Sequence, residues 1–356
     1  MNSKAFPNTV FSGEYASKSH VQGIAVDTVA GYVYYSFTTM LLKTDLSGNP
    51  VGSVIRLAGH LGCISFDAER RRIYGSLELK HDAIGQGIIA RSGWDPSKED
   101  SFYLVSFDAD QITRMDMDAE RDGVMRAVYL AQVVADYQAT DEASGCAHRY
   151  GCSGIDGIGY GPVFGEPADS PKKLMIAYGI YSDTERVDND YQVILQLDPA
   201  VIDQYGRSLN QELPHHSGPE RCEHRYFLYT GNTSYGIQNL EYDEYTTDWI
   251  VAVYRGKKDC FSNHPMYFID GSVAAVKTEL RGRGGEIGEV LTLARSDGDD
   301  PRGIEFPYGQ TGIFSFGDGT YYFSLDGRDR ERGVFYTAVT KYQIDFQNES
   351  LFVQSK

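Results

Sequence analysis

A degenerate unit of β-strand pattern recurs along the whole chain, and it constrains the fold more than any other feature. Each copy opens with a strand that has a small residue before its apolar centre. A turn, a Tyr-rich second strand and a third strand ending in Asp follow. The first copy runs through Gly23-Ile24-Ala25-Val26-Asp27, then Tyr32-Val33-Tyr34-Tyr35, then Leu41-Leu42-Lys43-Thr44-Asp45. The order returns at 62–67, 72–77 and 103–108, and again at 157–160, 174–178 and 193–198. A fourth copy covers 239–243, 249–254 and 267–270, and a fifth 312–316, 321–324 and 339–345. β-Units repeating at this scale imply strands arranged radially. The expectation is an all-β protein, one β-propeller domain over 1–356, with four-stranded blades. Five blades are counted, and seven is the alternative. The spacing exceeds the ~40–45 residues of a compact blade, with the excess at 82–101, 116–150 and 199–222. The final copy has a thin fourth strand near 351–353, which residues 8–11 are expected to complete.

Charge and cysteine content narrow the function. Net charge is −17, and no stretch rich in Lys or Arg offers the basic footprint that nucleic acid requires. No apolar run approaches the ~18 residues of a membrane span. Five Cys is an odd count and too few for a disulfide framework. Met1 as the native start implies a cytoplasmic protein, whereas a removed signal peptide implies a secreted or periplasmic one. Cys63, mid-strand, reads as a small buried residue.

In a propeller, the start of each inner strand and the end of the next strand meet at one rim. That rim collects His20, His60, Arg149, Tyr150 and Tyr235 from strand starts. It also collects His81, Tyr181, Arg186 and Arg255 from strand ends. His60 with His81, and Tyr235 with Arg255, occupy comparable positions in the second and fourth units. This arrangement resembles the His/His/Tyr/Arg sites of the β-propeller polysaccharide lyases of the ulvan lyase and L-rhamnose-α-1,4-D-glucuronate lyase type. Those enzymes have seven blades, against the five units counted here.

The resemblance implies β-elimination next to a uronic acid in an oligo- or polysaccharide. His60, His81 and Tyr235 would handle protons, and Arg255 would neutralise the carboxylate. His20, Arg149, Tyr150, Tyr181 and Arg186 would contact substrate. Family members can also carry a structural zinc, for which Cys222, His224, Cys260 and His264 supply two sulfur and two nitrogen donors. The alternatives are a non-catalytic propeller binding glycan or protein, and a glycoside hydrolase using rim carboxylates. The acidic run Asp183 to Asp190 is the source of such carboxylates, and equally a candidate Ca²⁺ loop. No organic cofactor is implied.

Overall fold

The computed structural model describes residues 3–57, 59–92, 96–142, 145–295 and 301–356. Five sheets radiate around an axis as the blades of a β-propeller. The innermost strands are Val21–Asp27, His60–Asp67, Cys152–Gly161, Ser234–Tyr242 and Ile313–Ser315. Each packs beside the next, and the fifth returns to the first, so the ring closes with five members.

The small residue that opens each repeat has a steric cause. A Cβ on Gly23 would sit 2.8 Å from the backbone nitrogen of Ile64, and one on Gly62 would sit 2.5 Å from Asp156 O. Five inner strands must crowd one axis, and glycine permits that approach. The recurrent Asp has a different origin. Asp27 Oδ1 accepts the N–H groups of Val29 and Ala30, and Asp67 Oδ1 those of Glu69 and Arg70. Each such carboxylate fixes the turn into the following strand.

Blades differ in their outer parts. The second blade has the expected four strands, ending in Met125–Tyr129; the first adds the two-residue Met117–Asp118 parallel to its fourth strand Pro50–Ile55, and the third reaches its fourth strand at His224–Tyr229. The fourth has three, Ser234–Tyr242, Trp249–Tyr254 and Met266–Ile269, which departs from the expectation of four. The hairpin that follows, Val276–Glu279 with Ile287–Val290, joins the outer edge of the third blade through His224–Tyr229 instead. In the fifth blade, Thr9–Phe11 pairs antiparallel with Val334–Ile344, and Phe352–Gln354 pairs with the same strand further along. The N-terminal segment therefore completes the last blade as expected. The long insertions carry short helices, Ala83–Ser92, Ala131–Gln138 and Val201–Tyr205. Among the described residues no helix is long and apolar enough to cross a membrane.

Candidate functional site

The channel has an entry mouth, where the inner strands begin, and an exit mouth, where they end. A hydrogen-bonded knot separates them. Asn239 Nδ2 donates to Gln22 O and Gln310 O, each at 2.9 Å. Cys63 Sγ lies 3.1 Å from Asn239 Oδ1 and 3.4 Å from Ile158 O. These groups come from all five blades, and Asn239 is 2% exposed. Cys63 is thus more than a small space-filler: its thiol is a member of the knot, and burial pushes it up to about 12.

At the entry mouth, four of the five inner strands are irregular. Register shifts fall between Val21 and Gly23, Leu61 and Ile64, Cys152 and Gly154, and Ser234 and Ile237. Bulges re-aim side chains, and here they gather charge. His60 Nδ1 lies 3.5 Å from both Glu78 Oε1 and Asp156 Oδ1. Lys80 Nζ donates to Glu78 Oε1 at 2.8 Å and to Ser153 O at 2.6 Å. Glu78 Oε2 accepts the Ile155 N–H at 2.9 Å, and Asp156 Oδ2 accepts from Gln238 Nε2 at 3.2 Å.

The two carboxyl groups are driven apart in proton affinity. Burial pushes Glu78 up, but Lys80 and then His60 outweigh it and hold the group below the usual glutamate range. Burial raises Asp156, and the negative charge of Glu78 raises it further. Burial works against the charge of Lys80, yet Glu78, Asp156 and Asp82 keep its affinity for a proton above the ordinary lysine value.

His20 stands on the same mouth. Its Nδ1 lies 2.8 Å from Val21 O and its Nε2 3.1 Å from Gln22 Nε2, a pattern that suits neutral imidazole donating from Nδ1. Burial lowers its pKa, and the charges of His60, Arg328 and Arg91 add to that. Arg328 is exposed and carries its guanidinium 5.0 Å from the ring centre of Phe335. Tyr235 is also exposed, edge-on to Tyr254 with ring centres 6.1 Å apart.

The other expected residues hold different partners. His81 does not share a partner with His60, because its Nδ1 and backbone N–H both meet Asp100 Oδ1, at 3.0 and 2.8 Å. Arg255 is drawn into a bidentate pair with exposed Glu305, which also holds His264 at 2.9 Å. Arg149 and Tyr150 both bond Glu286 Oε1, and Tyr181 donates to Asp82 at 3.1 Å.

Arg186 forks onto Asp188 at 2.7 and 2.8 Å. Arg283 reaches Asp188 too, while Lys258 binds Asn189 and Asp190. Asp188 and Asp190 are therefore neutralised by the protein's own cations, which leaves them poorly placed to be calcium ligands or a hydrolase pair.

The four proposed zinc donors are not brought together. His224 pairs with Glu289 at 3.0 Å and His264 with Glu305, while Cys260 is exposed. No disulfide joins Cys146 to Cys152. Among the described residues, the one group of three His, Cys, Asp or Glu side chains close enough to share an ion is His60, Glu78 and Asp156. Lys80 already supplies a positive charge to Glu78 there.

Strand order also puts Arg328 at this rim, at the end of a second strand, whereas Glu78, Lys80, Asp156 and Asn239 were not singled out by the sequence. The available signal was the pair Glu78-Leu79-Lys80 ending an apolar strand, and Asp156 set between Gly154 and Gly157 in another.

No family model matches this chain, and no curated protein does. Among solved structures it is similar to the soluble aldose sugar dehydrogenase of Escherichia coli, with a TM-score of 0.43 and 9% identity over 93% of this chain and 98% of that one. It is also similar to hydrazine synthase of Kuenenia stuttgartiensis (TM-score 0.40, 9% identity, 94% and 83% covered). A protein of unknown function from Bacteroides caccae gives a TM-score of 0.38 with 11% identity, covering 98% and 94%. At this distance none of them speaks for an activity.

Proposed function

We propose that this propeller is a carbohydrate-active enzyme that cleaves next to a uronic acid by β-elimination at its entry mouth. The observation that carries the reading is the meeting of His20, His60 and Arg328 on one mouth, with Glu78 and Asp156 buried behind His60. In this reading Nδ1 of His60 faces the carboxylates and Nε2 takes the proton α to the substrate carboxylate. A carboxylate behind an imidazole orients it and stabilises the cation that forms. Arg328 takes the neutralising role first given to Arg255, since Arg255 is already paired with Glu305. Tyr235 returns a proton to the departing β-oxygen as the carbon–oxygen bond breaks and the carbon–carbon double bond forms.

A hydrolase using Glu78 and Asp156 fits less well, because both residues are buried and lie behind His60. A panel of uronic-acid glycans separates the readings. Ultraviolet absorbance from an unsaturated product supports elimination, whereas new reducing ends without absorbance overturn it in favour of hydrolysis. Binding without either product leaves a lectin-like role and also overturns it. With an active substrate in hand, His60→Ala is expected to lower the rate by ~10²–10⁴-fold. Arg328→Ala should be impaired much more than Arg255→Ala, and the reverse order would return the neutralising role to Arg255.

A further inference from the structure

Beyond the knot, the exit mouth opens into a cavity of about 770 Å³, within the range of small-molecule sites. Ile24, Ile64, Phe66, Tyr160 and Phe314 give it apolar and aromatic walls. Most charged groups on its rim are already matched. Asp67 accepts from Arg70 and Tyr74, Asp198 from Lys173, and Lys172 pairs with Glu244 at 3.1 Å.

Glu241 has no ion-pair partner among the described residues. It follows Asn239 by two residues on the same inner strand, so its side chain leaves the same face and lines the cavity just past the knot. One oxygen accepts the Ser315 N–H at 2.9 Å. Among the described residues the other oxygen has no protein donor. The carboxyl group is ringed by protein and reached by water through the cavity.

We propose that the exit mouth is a second ligand site, which takes a small organic ammonium ion with an apolar body. The ammonium group would meet the open oxygen of Glu241, and the body would lie against Tyr160 and Phe314. Three features favour a cation over a neutral hydroxyl. The bond to a carboxylate is charge-assisted, aromatic faces attract ammonium groups, and a chain of net charge −17 draws cations towards it. Occupancy also changes a protonation state. Burial, with Asp243 and Glu244 nearby and Lys172 opposing them, pushes Glu241 up to about 8. Binding of a cation at neutral pH therefore releases a proton.

The test is calorimetric titration of the full chain with benzylammonium and, for comparison, benzyl alcohol. Benzylammonium is expected to bind at least about tenfold more tightly than the alcohol, and Glu241→Gln to lose at least about that factor. Repeating the titration in buffers of different ionisation enthalpy should show proton release by the wild-type chain at neutral pH, a readout that stands even if Glu241→Gln folds poorly. His60→Ala should bind benzylammonium as the wild type does, which keeps this site's outcome separate from that of the entry mouth. Equal binding of amine and alcohol, undiminished binding by Glu241→Gln, or no binding of benzylammonium would each overturn the proposal.

Discussion

The two mouths are built from the same five strands, yet they handle charge in opposite ways. At the entry mouth the strands bulge, and the charged groups they gather satisfy one another. Glu78 holds Lys80, His60 faces two carboxylates, and Gln238 supports Asp156. At the exit mouth the first, second and fourth inner strands run into Asp-capped turns at Asp27, Asp67 and Asp243. The aromatic walls there surround one carboxyl group with a single backbone donor. A buried charge can thus be supported by its neighbours or left for something that arrives from solution. The first arrangement favours a fixed geometry for proton transfer, and the second favours a vacancy for a ligand.

Breaking the entry mouth should have the largest effect on stability. Lys80→Met removes the cation from Glu78, and stranding a buried charge in this way costs about 3–5 kcal/mol. Urea denaturation would measure it. A loss under about 1 kcal/mol would mean that the entry charges do not depend on one another. Adding Glu78→Gln to that variant should restore part of the loss, because the two residues form one unit.

Severing the knot comes next. Asn239→Ala leaves Gln22 O and Gln310 O without their donor, at a cost of about 1–3 kcal/mol. The same variant should let a change at one mouth be felt at the other, for example as altered benzylammonium affinity when His60 is replaced.

The effect at the exit mouth should depend on pH. Folded Glu241 keeps its proton up to about 8, whereas the unfolded chain releases it near the ordinary glutamate value of 4.5. Between those values the folded state binds the extra proton, so this group's contribution to stability falls as pH rises and levels off above about 8. Glu241→Gln removes that slope. The variant's denaturation midpoint should rise relative to wild type across the window, and a constant difference would place Glu241 in water rather than in the channel wall.

Much of the ring was legible in the sequence because its causes are local. Gly62 and Asp67 mark inner-strand crowding and a capped turn wherever they recur, and five such units gave five blades. The three-stranded fourth blade was not legible, since the hairpin at 276–290 chooses between two neighbouring sheets by tertiary packing.

The candidate site shows the same division. Strand order alone placed His20 and His60 at the entry mouth. Arg255 failed on a single step of side-chain alternation: Tyr254 packs edge-on to Tyr235, while Arg255 reaches Glu305. Zinc donors chosen for their chemistry proved to hang on different blades, with His224 on the outer strand of the third and His264 in the fourth. Glu78 and Asp156 were missed because an acid in a strand reads as a wet face until the partner that buries it is known.

The strand at Thr9–Phe11 also bears on how the molecule is made. Ser12 Oγ accepts the Thr337 N–H across 325 positions of sequence, and the Asn8 side chain donates to Lys356 O at 2.8 Å. An emerging chain must therefore carry this strand unpaired through the synthesis of four blades before a partner exists. Long-range pairing of this kind is slow and leaves a sheet edge open to other molecules. The same contact brings residues 8 and 356 side by side. A short linker from residue 356 to residue 8, with a new break in the turn between two early blades, would move the seam without disturbing either mouth, and would make ring closure an event between neighbours in sequence.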